Sequence, residues 1–226
     1  MKKIILAVIL LILTAACFPG NKAKTKEEIY TEMENKISGM MYFKYTSQDS
    51  AYLTFYDGQT VNTFSLDKKG NGYSNNNGEQ IYKVDGSVYI RSVGLKQEGT
   101  SAEVIMDTLT EDEKDIGYFD RNSGNIKKFL ISNMKAFSNI PNQKITTEGK
   151  DIKIEMTDLK DTDYKSLDKI EISYKPGKSI KYLFSRTENS NGESKKYTIT
   201  DVLIFDSGET IKLPELMPTG TKLELK

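Results

Sequence analysis

The chain opens with a hydrophobic segment that nothing later in the sequence repeats. Lys2 and Lys3 precede an unbroken apolar run from Ile4 to Leu13, and small residues follow up to Cys17. A membrane-spanning helix needs roughly 20 apolar residues, so this run is too short to cross a bilayer. A cationic head, a short apolar core and a small-residue end are typical of a cleavable signal peptide, which we predict over residues 1–16.

The end of this segment, Leu13-Thr14-Ala15-Ala16-Cys17, resembles the bacterial lipobox. In that motif the cysteine is diacylated and becomes the new N-terminus after cleavage. Cys17 is the single cysteine of the chain, and Thr14 stands where the family more often has leucine. The resemblance implies lipidation at Cys17, which would anchor the protein to a membrane of the bacterial cell envelope, facing the periplasm or the exterior. The alternative is an ordinary secretory signal with a chance cysteine.

The hydrophobic pattern then becomes helical. Residues 17–25 contain Pro19 and Gly20 and show no periodicity, so they predict a lipidated tether. Thr25 and Glu28 have the spacing of a capping box, which predicts a helix that starts at Lys26 and ends near Gly39. Its apolar residues recur at helical intervals at Ile29, Met33, Ile37 and Met40.

From Met41 to Arg91 the pattern changes to alternation of apolar and polar residues, which is typical of half-buried strands. Dipeptides that favour positive φ angles punctuate this region at Asp57-Gly58, Asn71-Gly72, Asn77-Gly78 and Asp85-Gly86. Two-residue hairpin loops need such residues, so consecutive strands are expected to pair antiparallel. One face of this meander would be apolar, and the other would carry tyrosine, threonine and lysine.

Two further helices are predicted in the middle of the chain. Thr100 and Glu103 repeat the capping-box spacing, and the apolar residues that follow have helical spacing at Ala102, Ile105, Met106 and Leu109. The acidic stretch from Glu111 to Asp115 is expected to be a solvated loop. Asn125 would then cap a longer helix, ended by Pro141. Its inward stripe would comprise Ile126, Phe129, Leu130, Met134 and Phe137.

A second block of alternating strands runs from Lys144 to Phe205, with turns at Pro176-Gly177 and Asn191-Gly192. After Gly208 the prolines at 214 and 218 interrupt any periodicity, so we predict an irregular strap followed by a final strand within Thr221 to Leu225. Residues 26–226 are therefore expected to form a single domain of the α+β class, mainly antiparallel β, with three helices.

The composition argues against catalysis and metal binding. The chain has no histidine, and its one thiol is predicted to be acylated. Asp158, Asp161 and Asp163 could offer oxygens to calcium, but the glycine and terminal glutamate of an EF-hand loop are missing, so a solvated turn is favoured. We expect no enzymatic activity, no cofactor and no metal.

The charge balance argues against a nucleic-acid partner. The whole chain has 32 basic and 32 acidic residues, and removal of Lys2 and Lys3 with the signal leaves 30 basic residues and a net charge of −2. A protein that neutralises phosphates needs a basic surface, and this composition does not supply one.

The order of these elements resembles the superfamily of LolA/LolB-like lipoprotein carriers, which includes the LppX-like lipoproteins. The features that match are the lipobox, the tether, the capped helix, two antiparallel blocks around a helical insertion, and a terminal strap such as Ile211-Lys212-Leu213-Pro214. In that superfamily a curved sheet forms an open half-barrel with helices on its concave face, and acyl chains bind between them. The resemblance is one of layout, without a diagnostic motif, so no ligand-contacting residue can be carried over from it.

Two functional interpretations follow. The first is a non-catalytic envelope lipoprotein that binds a hydrophobic or lipid ligand between the curved sheet and the helices. Candidate lining residues are Phe43, Leu53, Phe55, Phe64, Ile90, Phe129 and Leu130, although plain core is the default interpretation of each. The second is a protein–protein interaction or structural envelope module with a closed core, which would hold an envelope protein through its tyrosine-rich face or an edge strand. An enzyme would instead require carboxylates that converge in a pocket.

Overall fold

The computed structural model describes residues 24–50, 62–76, 78–99, 101–112, 115, 117–190 and 192–224. The predicted signal peptide, Cys17, Leu53, Phe55 and the Asp57-Gly58 turn lie outside these ranges. The described residues form twelve antiparallel strands in one open sheet, with two helices against it. The predicted fold class, a mainly antiparallel α+β half-barrel, is confirmed, and one of the three predicted helices is a strand in the described residues.

The helices are α1 (Lys26–Gly39) and α2 (Tyr118–Ser138). The first block of strands comprises β1 (Phe43–Asp49), β2 (Asn62–Leu66), β3 (Gly72–Asn76), β4 (Glu79–Val84), β5 (Ser87–Glu98) and β6 (Ser101–Glu111). The second comprises β7 (Lys144–Glu148), β8 (Asp151–Met156), β9 (Lys169–Lys175), β10 (Ser179–Ser190), β11 (Glu193–Phe205) and the short β12 (Lys222–Glu224).

The sheet joins two meanders at its centre. Its strand order is β12-β6-β5-β4-β3-β2-β1-β11-β10-β9-β8-β7, so only the β1–β11 and β6–β12 pairs connect strands that are distant in the chain. At the central seam Tyr45 pairs with Leu203 and Ser47 pairs with Asp201. The two edge strands, β12 and β7, are not neighbours in the described sheet, so it stays open.

Helix α1 forms as its sequence predicts. The backbone N–H of Glu28 donates to Oγ1 of Thr25 at 3.2 Å, and the N–H of Thr25 donates to Oε2 of Glu28 at 2.7 Å. This reciprocal capping box satisfies amide groups that lack partners within the helix. The helix ends at Gly39, with Met40 as its C-cap. Its buried face consists of Ile29, Tyr30, Met33 and Ile37.

Helix α2 begins earlier than predicted, at Tyr118 instead of after Asn125. Its first turn is held by Phe119, whose fully buried ring lies 5.6 Å from the ring of Phe64. This contact with β2 could not be inferred from helical spacing. The prediction that Phe129 belongs to the inward stripe is wrong, since the side chain is 50% exposed. The buried stripe continues instead through Leu130, Met134 and Phe137.

The helix predicted over Thr100 to Leu109 is wrong, because Ser101–Glu111 is strand β6. Its backbone groups pair with β5 on one side and with β12 on the other. Its β-branched residues, such as Val104 and Thr108, favour a strand. A shift of register at Gly94 and Leu95 breaks the alternation of inward and outward residues. As a result, the apolar residues of β6 have the same spacing in the sequence as those of an amphipathic helix. Glu111, predicted in a loop, is the last residue of this strand.

Most of the predicted turns are confirmed. Asp85 and Gly86 have φ angles of +50° and +91° in the loop between β4 and β5, and turns at Gly177 and Gly192 follow β9 and β10. The dipeptide Asn71-Gly72 is an exception, because Gly72 already belongs to β3. The chain reverses just before it, where Oδ1 of Asp67 accepts N–H groups of residues 69 and 71.

The hydrophobic core lies between the helices and one face of the sheet. Aromatic rings connect its two halves, with centroid distances of 5.6 Å from Phe43 to Phe64 and 6.3 Å from Phe137 to Tyr182. On the opposite face, residues 207–221 form the predicted strap. Glu209 accepts from Lys44 and Ser65, and the N–H of Ile211 donates to Asp67. The strap ends in β12, which confirms the predicted final strand.

Candidate functional site

The predicted lining residues fall into three groups. Phe43, Phe64 and Leu130 are 0%, 4% and 1% exposed and belong to one core cluster. Ile90 is half-buried on β5, and Phe129 points away from the core. Leu53 and Phe55 lie outside the described residues. The residues that the structure brings together therefore fill the space between sheet and helices, so the predicted lining is part of the packed interior.

An open groove lies at one end of this interior, where α1 stops and β1 begins. Its volume is about 350 Å3. The polypeptide turns from helix to strand through Met40, Met41 and Tyr42, and Met41 is 77% exposed. We call this feature the Met41 groove. Its lining residues are Asn35, Lys36, Gly39, Met40, Met41, Tyr42, Gly177, Phe205 and Asp206.

The lining of the Met41 groove mixes charged residues, Lys36 and Asp206, with apolar ones. Nζ of Lys68 lies 2.9 Å from Oδ1 of Asp206 and 5.1 Å from the centroid of the Tyr42 ring. The hydrogen bond to Asp206 raises the pKa of Lys68. Lys36, in the last turn of α1, adds a second cation. A lining that mixes apolar and charged residues suits an amphiphilic molecule better than a purely ionic one.

A buried polar pair lies further inside, under the helices. Tyr182 on β10 and Asp201 on β11 are direct cross-strand neighbours and are only 2% and 5% exposed. The phenolic hydroxyl of Tyr182 and Oδ1 of Asp201 have no hydrogen-bond partner in the structure. Burial raises the pKa of the Asp201 carboxyl, and hydrogen bonds from Ser47 and Tyr45 partly oppose this effect. Burial also raises the pKa of Tyr182.

Sequence reasoning did not single out Asp201. The sequence feature that could have identified it is an acidic residue at a position that should face the same side as two apolar ones. Ile199, Asp201 and Leu203 are two residues apart and share one face of β11. Threonines and Val202 alternate on the other face. Because both faces of this strand mix polar and apolar residues, the pattern could not show that the carboxylate faces inward.

The described residues give no indication of a metal centre. Within those ranges, no three of the side chains that commonly bind metals come close enough to hold an ion. Asp158 accepts a hydrogen bond from Asn142 at 3.2 Å, and Asp161 and Asp163 are exposed. Neither α1 nor α2 combines the length and apolar character that a membrane-crossing helix requires.

Comparison with known proteins does not assign the chain to a family. No protein-family model matches it, and no curated protein matches it significantly.

Proposed function

We propose that this protein is a bacterial envelope lipoprotein, anchored through an acylated Cys17, that binds a hydrophobic or lipid ligand without catalysing a reaction. The observation that carries the proposal is the Met41 groove. It opens at the end of the interface between the sheet and α1, which is the region where the layout of the sequence predicts a ligand. The anchor rests on the lipobox resemblance.

The composition of the groove supports an apolar ligand. Methionine is flexible and polarisable, so Met40 and Met41 can adapt to chains of different shape. Phe205 adds an aromatic wall. A volume of about 350 Å3 lies at the lower end of the usual range for small-molecule sites. The 77% exposure of Met41 also leaves apolar surface uncovered, which a ligand would remove from water.

The position of the groove relative to the anchor is compatible with exchange of a ligand with a membrane. The tether joins the domain at the N-terminus of α1, and the groove lies at its C-terminus. A helix of 14 residues is about 21 Å long. The groove would therefore open within about one bilayer leaflet's thickness of the point where the tether meets the fold.

The proposal is tested with the whole mature chain carrying Cys17→Ala, which removes the anchor. Native mass spectrometry followed by solvent extraction would identify a co-purified lipid, and displacement of a fluorescent fatty acid would measure binding. We expect Met41→Glu to weaken binding at least tenfold, because it places a charge on the apolar wall. Leu216→Glu is the matched control, since Leu216 is 47% exposed on the strap. Absence of both co-purified lipid and probe binding would refute the proposal.

A second candidate function is the interaction module with a closed core. It is favoured by the tight interior, where Phe43, Phe119 and Phe137 are all completely buried. Exposed apolar side chains also occur on the strap at Leu213 and Leu216, which are 39% and 47% exposed. A photo-crosslinking residue at position 216 would capture a specific envelope protein in cells if this function holds. A native mass without bound ligand, together with such a crosslink, would favour the interaction module over ligand binding.

A further inference from the structure

Tyr182 and Asp201 each carry a buried polar atom without a hydrogen-bond partner in the structure. Both residues lie on the helix-covered face of the sheet, directly opposite one another on neighbouring strands. The ring of Phe137 on α2 lies 6.3 Å from the Tyr182 ring and covers one side. The Tyr30 hydroxyl of α1 is close enough to influence Tyr182 electrostatically, and it already donates to Gln143 at 2.9 Å.

Buried polar atoms in folded proteins almost always have a partner, so two adjacent exceptions need a chemical explanation. The protein does not supply the missing groups, although Ser47 and Tyr45 serve the rest of the Asp201 carboxylate. Tyr182 can donate a hydrogen bond, and Oδ1 of Asp201 can accept one. A single group that serves both atoms must therefore accept from Tyr182 and donate to Asp201.

A hydroxyl group meets this requirement, because it is both a donor and an acceptor. A fatty-acid carboxylate would place a second negative charge beside Asp201. An ester or alkane would leave Oδ1 of Asp201 without a donor. The chemistry of the pair thus selects a neutral alcohol over the other polar groups common in lipids.

Completely buried side chains separate the pair from the Met41 groove. Asp201 lies four residues from Phe205 along β11, which corresponds to about 13 Å. An acyl chain of sixteen carbons is longer than this. On the helix side, Met33 and Ile37 of α1 lie between Tyr30, near the pair, and Met40, in the groove. Rotation of the flexible Met33 side chain would open part of this path.

We propose that Tyr182 and Asp201 bind the hydroxyl group of a neutral, hydroxyl-bearing lipid whose acyl chain leaves through the Met41 groove. This inference rests on the proposed function and specifies its substrate class, with a monoacylglycerol as the simplest member. The hydroxyl of the lipid accepts from Tyr182 and donates to Oδ1 of Asp201. A buried water could supply the same hydrogen bonds, and the experiment distinguishes these two sources.

The test compares three ligands that share one acyl chain: monopalmitoylglycerol, methyl palmitate and palmitate. Binding to the whole mature chain with Cys17→Ala is measured by displacement of a fluorescent probe. We expect monopalmitoylglycerol to bind at least tenfold more tightly than either of the others. Tyr182→Phe keeps the ring and removes the hydroxyl, so it should abolish this preference while the affinity for methyl palmitate stays the same.

Tyr164→Phe is the matched control, because Tyr164 packs 5.2 Å from the same Phe137 ring but its hydroxyl lies 3.5 Å from Asn133. It should leave the preference intact. Equal binding of monopalmitoylglycerol and methyl palmitate, unchanged by Tyr182→Phe, would mean that a water occupies the pair, and would overturn this inference but not the proposed function. Failure of all three ligands to displace a bound probe would also overturn this inference alone. Absence of both probe binding and co-purified lipid would overturn the proposed function as well.

Discussion

Arg91 and Asp107 form a nearly buried ion pair beneath the C-terminal strap. Nε and Nη2 of Arg91 donate to the two carboxylate oxygens of Asp107 at 2.8 Å and 2.5 Å. Their side chains are 10% and 0% exposed. Oδ2 of Asp107 also accepts the backbone N–H of Met217 at 2.7 Å. One carboxylate thus holds both a strand of the sheet and the strap that crosses it.

Replacement of Asp107 by asparagine should therefore loosen the strap as well as destabilise the fold. The variant leaves Arg91 buried without its charge partner, and we expect the free energy of unfolding to fall by about 3 kcal/mol. Trypsin should cut more rapidly after the exposed Lys212, which lies in the strap. Chemical denaturation and limited proteolysis measure the two effects.

Asp206→Asn serves as the control for this prediction. Asp206 pairs with Lys68, but the two side chains are 47% and 59% exposed, so the exchange should cost less than about 0.5 kcal/mol. If Asp107→Asn behaves like this control, the ion pair does not hold the strap.

The contact between Gly72 and Phe119 should tolerate no extra atom. A Cβ added to Gly72 would overlap the ring of Phe119, which is fully buried in the core. Gly72→Ala should therefore destabilise the protein by about 2–3 kcal/mol, as overpacking usually does. Thermal unfolding of the purified variant provides the measurement.

Gly124→Ala is the matched exchange in α2. A Cβ there meets nothing within 4 Å, so alanine should be neutral or should stabilise by up to about 1 kcal/mol through its higher helix propensity. Equal stabilities of the two alanine variants would show that the Phe119 ring moves aside at little cost.

The proposed lipid anchor gives a prediction that depends on the sequence alone. Cys17→Ala should abolish labelling with a fatty acid and should move the protein from the membrane fraction to the soluble fraction. Two acyl chains hold a protein to a bilayer almost irreversibly, so their loss should change the partition completely. Membrane fractionation of cells grown with a labelled fatty acid measures both effects. Unchanged partitioning would contradict lipidation at this residue.

Local signals explain which parts of the fold could be predicted. The capping box of Thr25 and Glu28 involves residues three apart, so the sequence contains all the information that α1 needs to start. The turn at Asp85-Gly86 likewise depends on the φ angles of its own residues. The start of α2 depends on the contact of Phe119 with β2, which is distant in the chain.

Strand β6 shows how a distant interaction can outweigh a local pattern. The apolar residues Ala102, Ile105 and Met106 have helical spacing. In the sheet, however, the irregular register opposite Gly94 produces the same spacing, and the strand is held by a partner on each side. Of these partners, β12 is more than a hundred residues away, so no local rule could have revealed it.

The candidate site was only partly accessible from the sequence. Its apolar residue Met40 follows from the helical periodicity of α1, but the volume of the Met41 groove depends on how α1 meets β1 and β11. The unpaired atoms of Tyr182 and Asp201 were not predictable, because they depend on the partners that neighbouring strands happen to offer.

Asp201 and Asp107 should contribute to stability with opposite pH dependence. The guanidinium of Arg91 holds the pKa of Asp107 below its usual range, so the stability from this pair is present above about pH 4 and is lost as the pH falls through the folded-state pKa. Burial instead raises the pKa of Asp201, so the folded state favours its protonated form. The loss of stability caused by the ionised Asp201 carboxylate is absent below about pH 4 and grows as the pH rises through the folded-state pKa.

Asp201→Asn should consequently be more stable than the parent at neutral pH, by roughly 1–3 kcal/mol, because the amide has no charge that burial desolvates. The difference should vanish near pH 3, where the parent carboxyl is also neutral. Urea unfolding of both proteins from pH 3 to pH 8 measures this trend, with Asp107→Asn as the control of opposite sign. A constant difference across this range would show that Asp201 does not titrate on unfolding. Proteins retain residues that lower stability where those residues are needed for binding. A gain in stability on Asp201→Asn would therefore agree with a role of Asp201 in the proposed lipid-hydroxyl site.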